Sequence, residues 1–347
     1  MEEQVTQSGP LTTLVQQGTD YLWHALSSDV PADLHWPVLL LTLALAITLF
    51  IYRKGHGART ADGHERKTGL IQFLLPRDIY THVSARVDIQ LWVFDKLLRP
   101  IWAVTILATV GPATEQSIIW FLGTVAGESP ALHSNLPWML LYSLVTLLLY
   151  DLVFFITHFS MHKFPVLWAI HKTHHSAEVL TPLTRHREHF LATPVWDAGA
   201  ALSYGTAAGI FGYLFAGDIT EATLFNIGFF TALFGFNGTF RHYHVQFGYP
   251  RWLEKWLQSP AMHHIHHSYL EPHRDTNFAA VTSIYDRMAG TLYHPQKDEY
   301  TPWGLGPETQ AENRSFWDNT MGPFRDWYAL LRGEQETQST DDKPSSD

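Results

Sequence analysis

Residues 129–175 read SPALHSNLPWMLLYSLVTLLLYDLVFFITHFSMHKFPVLWAIHKTHH. From Ser129 to Tyr150 this stretch carries no charged side chain, and about 20 apolar residues suffice to cross the hydrocarbon core of a bilayer. His158 and His162 follow at its inner end, four residues apart, and then His171, His174 and His175 at i, i+3 and i+4. Imidazoles at those spacings share one face of a helix. A third group, His263, His266 and His267, repeats the second spacing 92 residues later, with His264 inserted. An apolar helix that ends in clustered nitrogen donors predicts an all-α fold. The expected architecture is a polytopic membrane helix bundle of about four or five spans, with a cytoplasmic helical cap holding a His-rich site for two metals.

The basic residues support that picture by where they are missing. None of the 23 Lys and Arg lies in residues 1–52, 100–162 or 188–240. Those gaps contain the long apolar runs: 36–52, 100–126, 129–150, 198–217 and 222–240. The second is broken by Gly111-Pro112 and Glu115, which predicts one kinked span or a re-entrant hairpin. Five alternating spans put every basic block on one side, and the preference of Lys and Arg for the cytoplasm makes that side internal. Residues 1–35 have no basic start followed by an early apolar core, so they are expected to be an external arm and not a signal peptide. Residues 36–332 form the membrane domain, and the polar stretch 333–347 is expected to be a disordered tail.

Composition excludes several chemistries. The 347-residue chain has no cysteine, which removes disulfides, thiolate metal sites, iron–sulfur clusters and cysteine nucleophiles. A net charge of −10 argues against nucleic-acid binding. The mean hydropathy of −0.07 averages apolar spans with polar caps. Histidine is abundant, at 21 residues. Neutral imidazoles suit zinc, copper, iron and nickel. Without an H-E-x-x-H segment or a Glu inside any histidine group, a zinc protease does not fit. His24, His35, His56, His64, His82 and His133 stand alone and are read as polar residues near the membrane surface.

In this order and on a chain of this kind, the groups resemble the membrane fatty acid hydroxylase/sterol desaturase superfamily. Further segments are similar to it: Asp151-Leu152-Val153-Phe154-Phe155 before His158, and Thr181-Pro182-Leu183-Thr184 with Arg187 and His189. Ser259-Pro260, Asp275-Thr276-Asn277-Phe278, Asp286-Arg287 and Gly290-Thr291 also match, as do Pro76-Arg77-Asp78 and Ser84-Ala85-Arg86-Val87-Asp88. Ala279 and Ala289 depart from the usual pattern, and so does His242-Tyr243-His244, where the family often has His-Ser-Asn.

The resemblance implies a non-haem centre of two iron ions that uses O2 to hydroxylate or desaturate a C–H bond of a lipid, in a bacterial inner membrane with the site on the cytoplasmic side. It implies His158, His162, His171, His174, His175, His263, His266 and His267 as ligands; His242, which the apolar run 222–240 delivers to the same face, is expected as a ninth and His189 as a tenth. Asp151, Asp275, Asn277 and Asp286 become candidates for orienting the imidazoles. The roles of His244 and His264 stay open. The chain has no haem-binding His-Pro-Gly-Gly segment or dinucleotide fingerprint, so an external electron donor, a ferredoxin or cytochrome, is expected. Tyr150, Phe154, Phe155, Phe230, Phe234 and Phe236 are candidate walls of a lipid slot. Two other functions remain open: a His-lined metal transporter, which would need ionisable groups near the midplane of its spans, and a non-catalytic membrane metal-binding protein.

Overall fold

A computed structural model describes residues 36–56, 58–59, 64–218, 238–296 and 299–333. The described residues are mostly helical, with one short antiparallel hairpin pairing Ala58–Arg59 with Glu65–Arg66. The principal helices are α1 (Trp36–Tyr52), α2 (Val83–Leu98), α3 (Pro100–Ala126), α4 (Leu136–Lys163), α5 (Pro165–His175), α6 (Thr193–Leu214), α7 (Pro260–His266) and α8 (Phe316–Leu331). The expected arm, the tail beyond Gly333 and most of the run 222–240, with Phe230, Phe234 and Phe236, lie outside the described residues.

Helix α4 sets the scale of the molecule. Asn135 caps it by accepting from the Trp138 N–H at 3.2 Å, and Pro137 sits in the first turn, where a missing N–H costs nothing. Its 28 residues span roughly 42 Å, against about 30 Å for a bilayer core. The last turns, with His158 and His162, therefore extend past the apolar part. Among the described residues α4 is the one helix long and apolar enough to cross a membrane.

Residues 100–126 form one continuous helix, not a hairpin, with Pro112 inside it. Close packing against α6 holds the chain there. A Cβ on Gly205 would fall 2.5 Å from the Gly111 carbonyl oxygen, and one on Gly209 would fall 2.6 Å from the Ile118 Cβ. Small residues four apart let two backbones touch, which is how apolar helices associate without a hydrophobic driving force. On its other side α6 meets α4, with the rings of Tyr142 and Phe211 4.5 Å apart.

Phe164 adopts an extended backbone conformation, and Pro165 then starts α5, so the chain turns sharply between the first two histidine groups. Helix α8 braces α5 through a Lys172–Asp326 ion pair and through Asn319, whose carbonyl oxygen accepts from Thr173 Oγ1 at 3.2 Å. The buried side of α8 is polar, whereas Trp317, Met321 and Tyr328 on its outer face are exposed.

Candidate metal centre

Nine histidines converge in two groups. One consists of His158, His162, His171, His175 and His266; the other consists of His174, His242, His263 and His267. Within each group the ligand nitrogens lie within 4.8 Å of one another. In an α-helix, residues i and i+4 stand about 40° apart, while i+3 falls about 60° to the other side of i. His171 and His175 are an i, i+4 pair in the first group, and His263 and His267 are one in the second. The i+3 histidine of each box, His174 or His266, crosses over to the other box's group.

The nitrogen geometry fits metal ions. Nε2 of His242 lies 3.3 Å from Nε2 of His174, 3.0 Å from that of His263 and 3.3 Å from that of His267, and the His263–His267 separation is 3.0 Å. A tetrahedron of nitrogens about 2.0–2.1 Å from its centre has edges of about 3.3 Å. In the larger group, Nε2 of His162 and His175 are 3.1 Å apart. Nε2 of His158, His171 and His266 are buried and make no hydrogen bond. Burial drives the imidazoles of His171, His175, His242, His263, His266 and His267 well below their ordinary pKa, and that of His174 down to about 3. Neutral imidazole is the form that binds a metal.

A short strap of backbone, residues 275–282, orients several of these rings. Asp275 and Asn277 take left-handed conformations (φ 57° and 56°), which Asp and Asn tolerate better than most residues. Five successive N–H groups of the strap point at two carboxylates. Asp286 accepts from Phe278 and Ala279 at 2.8 and 2.9 Å, and Asp151 accepts from Ala280, Val281 and Thr282 at 2.8–2.9 Å. The strap's carbonyls serve the centre. Phe278 O accepts from His158 Nδ1 and Thr276 O from His266 Nδ1, both at 2.7 Å. Ala279 O and Ala280 O accept from Arg241, whose Nη2 also donates to His263 Nδ1 at 2.8 Å. With Nδ1–H committed, Nε2 of His158 and His266 keeps its lone pair for a metal.

This arrangement corrects the expectation for the four polar residues. Asp275 alone touches an imidazole, with Oδ1 3.3 Å from His162 Nδ1. Burial works against its charge, but His162 and Lys163 outweigh that and pull its pKa down to about 2. Asp151 and Asp286 act one step further out, because a carboxylate can satisfy several strap N–H groups at once. Asn277 pins the strap by donating to Met262 O and Tyr293 O, both at 3.0 Å.

His189 stands apart from both groups. Its Nε2 donates to Thr320 O at 3.0 Å, and its Nδ1 accepts from the Leu191 N–H at 3.3 Å, so both nitrogens are committed to backbone. His244 donates from Nε2 to Phe73 O at 2.8 Å, and His264 packs against Trp303. Neither joins a group.

Three residues gained no role from sequence. Arg187, 1% exposed, donates to Thr173 O at 2.9 Å and to Asp88 Oδ1 and Ser176 Oγ at 2.8 Å, locking α5 to α2. Arg241 links the strap to His263. Glu188 is buried beside His174, with Oε1 3.5 Å from Nδ1, and burial pushes its carboxyl up to about 8. Arg187 belongs to a segment that the resemblance had singled out; nothing in the local spacing marks Arg241 or Glu188.

A cavity of about 360 Å³ opens onto His158 and His171 of one group and His174, His242 and His263 of the other. Tyr150, Phe154, Trp196 and Tyr204 line it. Phe155 does not; its ring packs against Phe159 and Phe278.

Residues 143–291 match the family model for fatty acid hydroxylases. The chain is 25% identical over 215 residues to the ornithine lipid hydroxylase OlsE of Rhizobium tropici. That match covers 58% of this chain and 57% of the relative, a little over half of each. No solved structure gives a significant match. Both matches concern lipid hydroxylation.

Proposed function

Because the chain belongs to the fatty acid hydroxylase/sterol desaturase superfamily, we propose that it is an integral-membrane oxidoreductase that hydroxylates or desaturates a lipid, with two irons held by the nine grouped histidines. The observation that carries this is the pair of buried imidazole groups, neutral and at ligand spacing, that share one cavity. Iron bound there would supply activation of O2 and oxidation of an unactivated C–H bond, chemistry that needs a redox metal and not a Lewis acid alone. The protein supplies position. The strap holds His158 and His266 in one tautomer, Asp275 orients His162, and Tyr150, Phe154 and Trp196 form an apolar wall that excludes water from the reacting carbon.

The membrane arrangement follows from the basic residues. In this proposal α1, α3, α4, α6 and the run 222–240 are the spans, and the metal centre lies just inside the cytoplasmic interface of a bacterial inner membrane. Electrons come from an external donor, a ferredoxin or cytochrome, docking on the basic cytoplasmic face. The relative's name points to an aminolipid as substrate.

The test is metal analysis of the purified full-length protein, combined with mass spectrometry of membrane lipids from cells expressing wild type or His263→Ala. Two irons per chain and an oxidised lipid that vanishes in the variant are expected. Zinc in place of iron, with no lipid altered, would instead indicate a non-catalytic metal-binding protein.

A further inference from the structure

Helix α8 is amphipathic with its apolar side turned outward. At 100° per residue, Trp317, Met321, Phe324, Tyr328 and Leu331 fall within an arc of about 80°, and all five are exposed. The opposite arc carries Asn319, Gly322 and Pro323, which are buried. A helix on a water-facing surface has the reverse arrangement, with its apolar side inward. A capping box fixes the register from the first turn: Ser315 Oγ accepts from the Asp318 N–H, and the Asp318 carboxylate accepts from the Ser315 N–H, both at 3.0 Å. Two arginines border the stripe on one edge. Arg325 and Arg332 follow Met321 and Tyr328 by four residues and so lie about 40° beyond them. The Arg325 side chain is 61% exposed, with the Asp318 carboxylate 3.8 Å away, and Arg332 lies over the Tyr328 ring, 5.6 Å from its centre.

The neighbours of the stripe indicate what it meets. Trp327 Nε1 donates to Val166 O at 2.8 Å, which ties α8 beside the end of α4, where Phe164 and Val166 are themselves exposed. On the other flank the Phe316 ring meets Phe94 of α2 edge-on, with centres 5.4 Å apart. Val93 and Leu97 of α2 and Ile101 at the start of α3 are exposed. The outward apolar surface of α8 therefore runs, on both sides, into the ends of α3 and α4, two of the proposed spans. A lipid leaflet covers that whole surface at once. Exposed Trp and Tyr with arginines along one edge is also the composition of an interfacial helix, whose rings sit at head-group depth while the guanidinium stems reach up to phosphate.

We propose that α8 lies in the interface of the cytoplasmic leaflet, with its apolar stripe sunk to the first acyl carbons and Arg325 and Arg332 among anionic head groups. This rests on the membrane arrangement proposed above. The opposite side of α8 is tied to a metal-binding helix: Asp326 pairs with Lys172, and Asn319 Oδ1 accepts from Ser176 Oγ at 2.7 Å. Helix α5 carries His171, His174 and His175, so the leaflet sets the depth of the histidine centre through α8.

Because the chain has no cysteine, one spin label can be placed at a time. Met321→Cys and Tyr328→Cys report on the stripe, Leu144→Cys on the exposed side of α4, and Glu308→Cys on an exposed polar turn. All four positions are exposed, so labelling leaves the packing in place. The full-length protein is placed in nanodiscs of phosphatidylcholine and phosphatidylglycerol. Power-saturation EPR then compares collisions with oxygen, which concentrates in the bilayer, and with a water-soluble nickel chelate. The oxygen-to-nickel ratio at Met321 and Tyr328 is expected to be at least about fivefold that at Glu308. A ratio equal to that at Glu308 would overturn the proposal, because the stripe would then face water. Protection from both reagents would overturn it too, because a second copy or another protein would then cover the stripe. If Leu144 is lipid-exposed while the two α8 sites are not, this inference alone fails. If Leu144 reads as aqueous while the α8 sites read as lipid, the spanning arrangement fails and the interfacial helix stands.

Discussion

The two histidine groups are supported in different ways. In the group of five, His158 and His266 donate to strap carbonyls at 2.7 Å, and His162 faces the Asp275 carboxylate. In the group of four, the bonds from His174 to Arg187 O and from His242 to Gly238 O are longer, at 3.3 and 3.2 Å, and His263 meets a guanidinium. Short bonds to neutral or negative acceptors make an imidazole a better donor to metal, whereas a nearby cation opposes a metal cation. Equal residue chemistry has thus produced two unequal sites.

The sharpest way to break this comparison is to remove one ligand from each group. His242→Ala leaves three nitrogens in its group and is expected to lose one of two bound irons and all product. His175→Ala leaves four and should keep most of its metal, although turnover also fails. Plasma emission spectrometry of the purified variants checks this; identical metal loss would mean the groups are equivalent. Next in size is Asp275→Asn. Loss of a carboxylate that orients a ligand imidazole typically costs about 10–100-fold in metal affinity, and here the loss should fall on the group of five alone, as read by competition with a chelator. A smaller effect concerns filling order. Metal titrated into apoprotein should fill the group of five first, with about a tenfold affinity gap, visible as two phases in calorimetry.

Asp151→Asn should affect both groups alike, because the strap it holds serves both. Removing a charged acceptor from four donors is expected to cost about 1.5–3 kcal/mol of stability, seen as a lower melting temperature with metal stoichiometry retained. The smallest effect is on pH dependence. Burial depresses the folded pKa of His174 to about 3, so the unfolded chain takes up its proton first as pH falls. The associated stability is full above the ordinary histidine pKa of about 6.5 and is lost progressively from there toward pH 3. Thermal melts of the metal-free protein across that window should fall steadily, and a flat profile would contradict the burial.

Much of the site was legible before folding. The i, i+4 and i, i+3, i+4 spacings brought forward eight of the nine histidines that the structure groups, because one helical turn fixes which side chains share a face. His242 was legible from its place at the end of an apolar run. His189 was misread, since its neighbouring motif says nothing about which partner its ring meets; Thr320, 131 residues away, decides that. Of the two readings of 100–126, one kinked span or a re-entrant hairpin, the hairpin failed for a related reason. Gly111-Pro112 is a breaker by local propensity, yet it lies inside one continuous helix, where Gly205 packs close against the Gly111 carbonyl.

Sequence alone determined the helical class, the apolar runs and the histidines that could serve as nitrogen donors, because periodicity and missing charge are local properties of the chain. Tertiary structure decided which donors stand together. His174 leaves its neighbours His171 and His175 for His242, and His266 crosses the other way, since helices meeting at an angle place i+3 on one side of the contact and i+4 on the other. It also decided that Asp151 and Asp286 support the centre through backbone. Those relations depend on distances between segments far apart in sequence, which only packing sets.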